Sequence, residues 1–140
     1  MSKKTILVID GQGGQMGSQL IKALLSAFEN ITVLAVGTNA TAAAAMLKAG
    51  ADQAASGENP IRVACRKADV IIGPIGIVIA DSLLGEVTPA MATAIGQAAA
   101  TKILIPVNRC ENLVAGVPDV SVSALINDAL SKLAKLLEQL

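Results

Sequence analysis

Seven residues near the start of the chain carry the clearest chemical signal. Gly11-Gln12-Gly13-Gly14-Gln15-Met16-Gly17 lies between an apolar run and a helical pattern. Glycines there allow a tight turn and let backbone N–H groups approach a phosphate, and the following helix adds its partial positive end. The spacing reads as G-x-G-x-x-x-G, looser than the dinucleotide fingerprint. Two further features depart from that fingerprint. Asp10 sets a carboxylate beside the expected phosphate position. The second apolar run ends Gly37-Thr38-Asn39, with no acid for a ribose hydroxyl and no arginine for a 2′-phosphate. Thr38 and Asn39 either hydrogen-bond a ribose or cap a helix.

Gly73-Pro74-Ile75-Gly76 forms a second low-bulk turn, suited to a flat or phosphorylated ligand or simply to turning the chain. After a later apolar run comes Asn108-Arg109-Cys110-Glu111. Arg109 is a candidate clamp for phosphate or carboxylate, because guanidinium pairs bidentately with both. Cys110 is a candidate nucleophile if its thiolate is stabilised, although the chain has no histidine to serve as its base. Glu58, Asp81 and Glu86 are candidate acid–base groups, with a helix-end or solvent-exposed role as the alternative for each. Cys65 falls on a helical segment and is expected in the core.

Composition narrows the chemistry. With two cysteines and no histidine there is no metal-ligand spacing, so no metal site is expected. Phe28 is the only aromatic residue, which removes stacking platforms for bases and disfavours a flavin ring. NAD or NADP is therefore the leading cofactor expectation. Eleven basic residues balance eleven acidic ones, so no net field draws nucleic acid or an anionic membrane. The longest apolar stretch, Val70–Ala80, is shorter than the roughly 20 residues a bilayer requires. The amino-terminal apolar run is too short for a signal peptide. A cytoplasmic protein is expected.

These residues need elements to hold them. The 140 residues, 53% apolar and 16% charged, fit one domain over residues 1–140. Thr5–Ile9, Ile31–Val36, Asp52–Ala55, Val70–Gly73 and Lys102–Val107 read as strands, and Leu113–Val117 as a candidate sixth. Between them, Met16, Leu20, Leu24 and Phe28 mark one helix, and Ala40–Ala49, closed by Gly50, a second. Asn59-Pro60 reads as a cap and first helical residue, leading a helix to Ala68. Ile77–Leu84 reads as a short helix closed by Gly85, and Thr88-Pro89 opens another. Ser121 or Ser123 starts a last helix striped with Val122, Leu125, Ile126, Leu130, Leu133, Leu137 and Leu140.

Continuously apolar strands alternating with helices predict an α/β fold: one doubly wound, mostly parallel Rossmann-like sheet of five to six strands, with helices on both faces. Right-handed crossovers favour the order 3-2-1-4-5. Ligands of such sheets bind beyond the carboxyl ends of the strands at the switch point, which would bring the two glycine turns face to face. The region Val70–Ala100 is so poor in charge that a homodimer or larger symmetric assembly is expected, through these helices or the leucine stripe.

Val8-Ile-Asp-Gly-Gln-Gly-Gly14, Gly37-Thr-Asn-Ala-Thr41, Lys48-Ala-Gly-Ala-Asp52, Gly57-Glu-Asn-Pro60, Ile72-Gly-Pro-Ile-Gly-Ile77 and Ile105-Pro-Val-Asn-Arg-Cys110 together resemble a bacterial family of small Rossmann-like proteins of unknown function. The resemblance implies a nucleotide-binding type of fold and no particular activity. The first 40 or so residues are also similar to the phosphate-binding turn of dinucleotide-dependent dehydrogenases, without their acidic residue. Three functions follow: a nucleotide- or dinucleotide-binding protein in sensing or regulation, a small enzyme on a phosphorylated metabolite using Arg109 and Cys110, or a structural subunit with no ligand. The expected contact residues are Gly11, Gln12, Gly13, Gly14, Gln15, Met16, Gly17, Thr38, Asn39, Gly73, Pro74, Gly76 and Asn108.

Overall fold

Alternating apolar residues dictate which way each strand faces. In β1 (Lys4–Asp10), Ile6 and Val8 point to one side and Leu7 and Ile9 to the other, and all four are fully buried. A strand apolar on both sides must be covered on both sides, and it occupies the middle of the sheet. The computed structural model, which describes residues 3–107 and 112–140, has five parallel strands in the order β3-β2-β1-β4-β5. The others are β2 (Ile31–Gly37), β3 (Gln53–Ser56), β4 (Val70–Pro74) and β5 (Thr101–Ile105). Asp69 clamps the start of β1 by accepting from Thr5 N at 2.8 Å and donating its own N–H to Thr5 O at 2.9 Å. Asp52 makes the same pair of bonds with Val33 at the start of β3.

Two cores flank the sheet. On one side Ile6, Val8, Val33 and Ile72 pack against α1 (Gln15–Ala27), α2 (Ala40–Lys48) and α5 (Val122–Gln139). On the other, Leu7, Ile9 and Ile71 pack against α3 (Glu58–Lys67) and α4 (Pro89–Gln97). Helices change sides where the chain crosses from β3 to β4, so the switch point lies between β1 and β4.

Local signals set most helix starts. Asn39 accepts from Ala42 N, Thr88 from Met91 N and Ser121 from Ala124 N, each filling an orphan donor of the first turn. α3 begins one residue before Asn59. Gly57, at φ 106, turns the chain out of β3, and Pro60 falls inside the first turn, where its missing N–H costs no helical bond.

Three other expectations are corrected. Ile77–Leu84 is not an α-helix. A single 3₁₀ turn, Ile75–Val78, is followed by turns, because Asp81 N bonds forward to Val87 O at 2.7 Å and closes a loop. β5 stops at Ile105, since Pro106 has no N–H for the ladder. Leu113–Val117 adds no strand; it runs irregularly over the surface, with Leu113 85% exposed. The leucine stripe of α5 is turned mostly onto the sheet. Ile126 and Leu133 are buried, and Val122, Leu125, Leu130 and Leu137 pack around them. Among the described residues no helix is long and apolar enough to cross a membrane.

Candidate functional site

Asp10 ends β1, and its carboxylate turns back under the glycine turn. Oδ1 accepts from Gly11 N at 2.8 Å and Oδ2 from Gly17 N at 2.7 Å. The residue is 6% exposed. Gly14, the residue before α1, has no side chain to cap the helix, and Asp10 reaches its third N–H instead. The carboxylate is thus a support for the turn and for the positive end of α1.

The glycines of the turn divide by role. Gly14 has φ 72, and a Cβ on it would lie 2.9 Å from the backbone of Ala42, so α1 and α2 meet there only because no side chain intervenes. A Cβ on Gly13 would meet nothing within 4 Å. Gly13 faces open space.

Much of the turn's donor capacity is already used. Besides the bonds to Asp10, Gly14 N donates to Gly11 O, Ser18 N to Gly14 O, and Gln12 N to Glu86 Oε1 at 2.9 Å. Among the described residues the N–H groups of Gly13, Gln15 and Met16 have no acceptor. Gln15 and Met16 are the first two residues of α1, where no helical partner exists.

These donors border a cavity of about 290 Å³. One wall is the turn, from Asp10 through Met16. The opposite wall is Pro74, Ile75 and Gly76, which follow from β4 across the switch point. Ser82 and Leu83 close one side, and Val107 and Asn112 another. Gly73 fits against β1 with no room for a Cβ, which would lie 2.3 Å from Ile9 O. That contact brings the two turns together.

Glu86 sits beside the turn. Its Oε1 accepts from Gln12 N at 2.9 Å, Thr38 Oγ1 at 2.7 Å and Asn39 Nδ2 at 2.7 Å. Partial burial opposes its charge, but these three bonds outweigh it and hold the carboxyl below the usual glutamate range. Glu86 thus reaches the end of β2 from the loop before α4.

Of the expected contact residues, Gly11, Gln12, Gly13, Gly14, Gln15, Met16, Pro74 and Gly76 line the cavity. Gly17, Thr38, Asn39 and Gly73 support it from behind or beside. Glu58 lies elsewhere, where it pairs with Arg62 and accepts from Thr88 Oγ1 at 2.8 Å, linking α3 to α4. Asn108, Arg109 and Cys110 lie outside the described residues. Cys65 is buried, and burial pushes its thiol up despite the opposing charge of Lys102. The expected contact residues leave out Ile75, although its turn is among the candidates, and Ser82, Leu83, Val107 and Asn112, while Glu86 is expected only as a candidate acid–base group. Glu86 is 74 positions from Gln12, so no local spacing could reveal the contact.

The chain belongs to the family described as domain of unknown function DUF3842, whose model matches residues 5–138. No curated protein matches the sequence. Among solved structures it is similar to the crystal structure of a dodecameric FMN-dependent UbiX-like decarboxylase from Escherichia coli O157:H7. The two are 18% identical, the match covers 92% of this chain and 76% of that one, and the TM-score is 0.43.

The cofactor expectation is corrected at this point. Sequence composition put NAD or NADP first and disfavoured flavin for want of aromatic residues, whereas the similar structure is that of an FMN-dependent enzyme. A scarcity of aromatic residues does not exclude flavin. Apolar burial is non-directional, and Met16, Ile75, Leu83 and Val107 already give this cavity aliphatic walls.

Proposed function

We propose that the protein binds a small phosphate-bearing molecule of mononucleotide size in the cavity between the two glycine turns. The phosphate is taken by the N–H groups of Gly13, Gln15 and Met16, and the rest of the ligand lies against Pro74, Ile75 and Leu83. The observation that carries this reading is the coincidence of an open cavity with three backbone donors that have no acceptor among the described residues. A volume of about 290 Å³ falls near the lower end of small-molecule sites, which favours one nucleotide over two.

The test is thermal stability with AMP, ATP, FMN and coenzyme A. A ligand at 100 times its dissociation constant stabilises by about 2.7 kcal/mol. Gly13→Val should fold normally, because the added side chain enters open space, and should lose the stabilisation because that space is the phosphate approach. Equal stabilisation of wild type and variant would remove the proposed contact; no stabilisation by any of the four would remove the reading.

Self-association belongs to the same proposal. Ala90, Thr93, Ala94 and Gln97 of α4 line a groove shared with Arg62 and Arg66 of α3, a surface that a second copy would cover.

A further inference from the structure

The loop between the 3₁₀ turn and α4 has an unusual backbone. Asp81, Leu83 and Leu84 all have positive φ, at 66, 56 and 57°, followed by Gly85 at 86°. Aspartate tolerates the left-handed region, but leucine does so only under constraint. Two adjacent leucines held there require something to hold them.

The constraint is visible at the two ends of the segment. At its base, Asp81 N donates to Val87 O and Val87 N to Ser82 O, and Val87 is buried. At its tip, Glu86 reaches Gln12, Thr38 and Asn39 on two other elements. Between these points Ser82 Oγ donates to Gly76 O and Leu83 packs against the core that holds Leu7 and Ile9. Leu83 packs over Gly11, Leu84 is 93% exposed, and nothing lies within 4 Å of a Cβ on Gly85. Leu83, with Ser82, also walls the cavity.

We propose that residues 83–86 are a hinged cover over the cavity, latched by the Glu86 carboxylate and pivoting at the Asp81–Val87 pair. Releasing Glu86 lets the two leucines leave the left-handed region and withdraws Leu83 from the cavity wall. The packing lost on opening is that of Leu83 alone, since Leu84 and Gly85 have almost none to lose. The proposal rests on the cavity being the ligand site, and it makes access to that site depend on one side chain.

Hydrogen exchange on the free protein tests it without any ligand, so its outcome is independent of the nucleotide screen. The amides of Gly85 and Glu86 bond to Asp81 O and Leu83 O, within the loop, and never to the Glu86 carboxylate. In Glu86→Ala they should exchange at least tenfold faster than in wild type, while amides of β1 and β4 keep their wild-type rates. Glu86→Gln, which retains an acceptor oxygen, should give a smaller rise. If only the Gln12 amide accelerates, Glu86 is merely an acceptor and the cover does not exist. If 82–87 and the central strands accelerate together, the loop opens only with the whole domain and the proposal is equally overturned.

Discussion

Asp10 supplies the helix α1 with a cap that the turn itself cannot provide. Its two oxygens satisfy Gly11 N and Gly17 N in a buried setting. Removing the side chain leaves both donors without that acceptor, and an unsatisfied buried group costs about 1–3 kcal/mol. Asp10→Ala should therefore lower unfolding stability in urea by about 2 kcal/mol or more, with Asp10→Asn losing less. A change within about 0.5 kcal/mol, typical of a surface substitution, would show that the carboxylate does not hold the turn. The carboxylate that the sequence sets beside the expected phosphate position is, in the fold, bonded to the backbone of the turn itself.

At the scale of elements, the approach of α1 to α2 limits what the turn can contain. Gly14 is left-handed and lies against Ala42, whereas Gly13 is open. Gly14→Ala adds an overpacking cost of about 1–3 kcal/mol and a left-handed backbone cost of about 1–2 kcal/mol. Gly13→Ala should change stability by no more than about 0.5 kcal/mol. Chemical denaturation of the two variants side by side measures the contrast. Equal losses would mean that the glycines serve the turn alike and that Gly13 is not reserved for a ligand. The same geometry explains why the spacing departs from the dinucleotide fingerprint: Gly17 packs on Met46, where a Cβ would lie 2.5 Å from Sδ, and its place is set by that contact.

For the whole molecule, the question is which apolar surface remains after folding. α5 spends most of its leucines on the sheet, so the stripe expected to mediate assembly is largely consumed within the domain. The groove between α4 and α3 and the exposed Leu113, Val114, Val117 and Val120 remain. Light scattering should show a dimer or larger closed assembly at micromolar concentration, and Ala94→Arg on α4 should shift it toward monomer. A wild-type monomer at that concentration would remove the assembly, and an Ala94→Arg variant that assembles normally would move the interface away from α4.

The alternation of buried strands and capped helices was legible in the chain. Period, caps and continuous apolar strands are local properties, and together with right-handed crossovers they lead to the 3-2-1-4-5 sheet. The position of the cavity followed too, because a switch point is a consequence of strand order. Ile77–Leu84 reads as a helix because its apolar run matches a short helical segment, while the shape of the loop is set by the Asp81–Val87 bond and by Glu86 reaching across the molecule. The roles of Asp10 and Glu86 were likewise closed to sequence reasoning. Both depend on which backbone donors remain unused once the turn has formed. Local sequence determined that a glycine-rich turn would face a second turn at the switch point. Tertiary packing decided which of its N–H groups lack an acceptor among the described residues, because one of the carboxylates that take them, Glu86, is placed by a distant part of the chain.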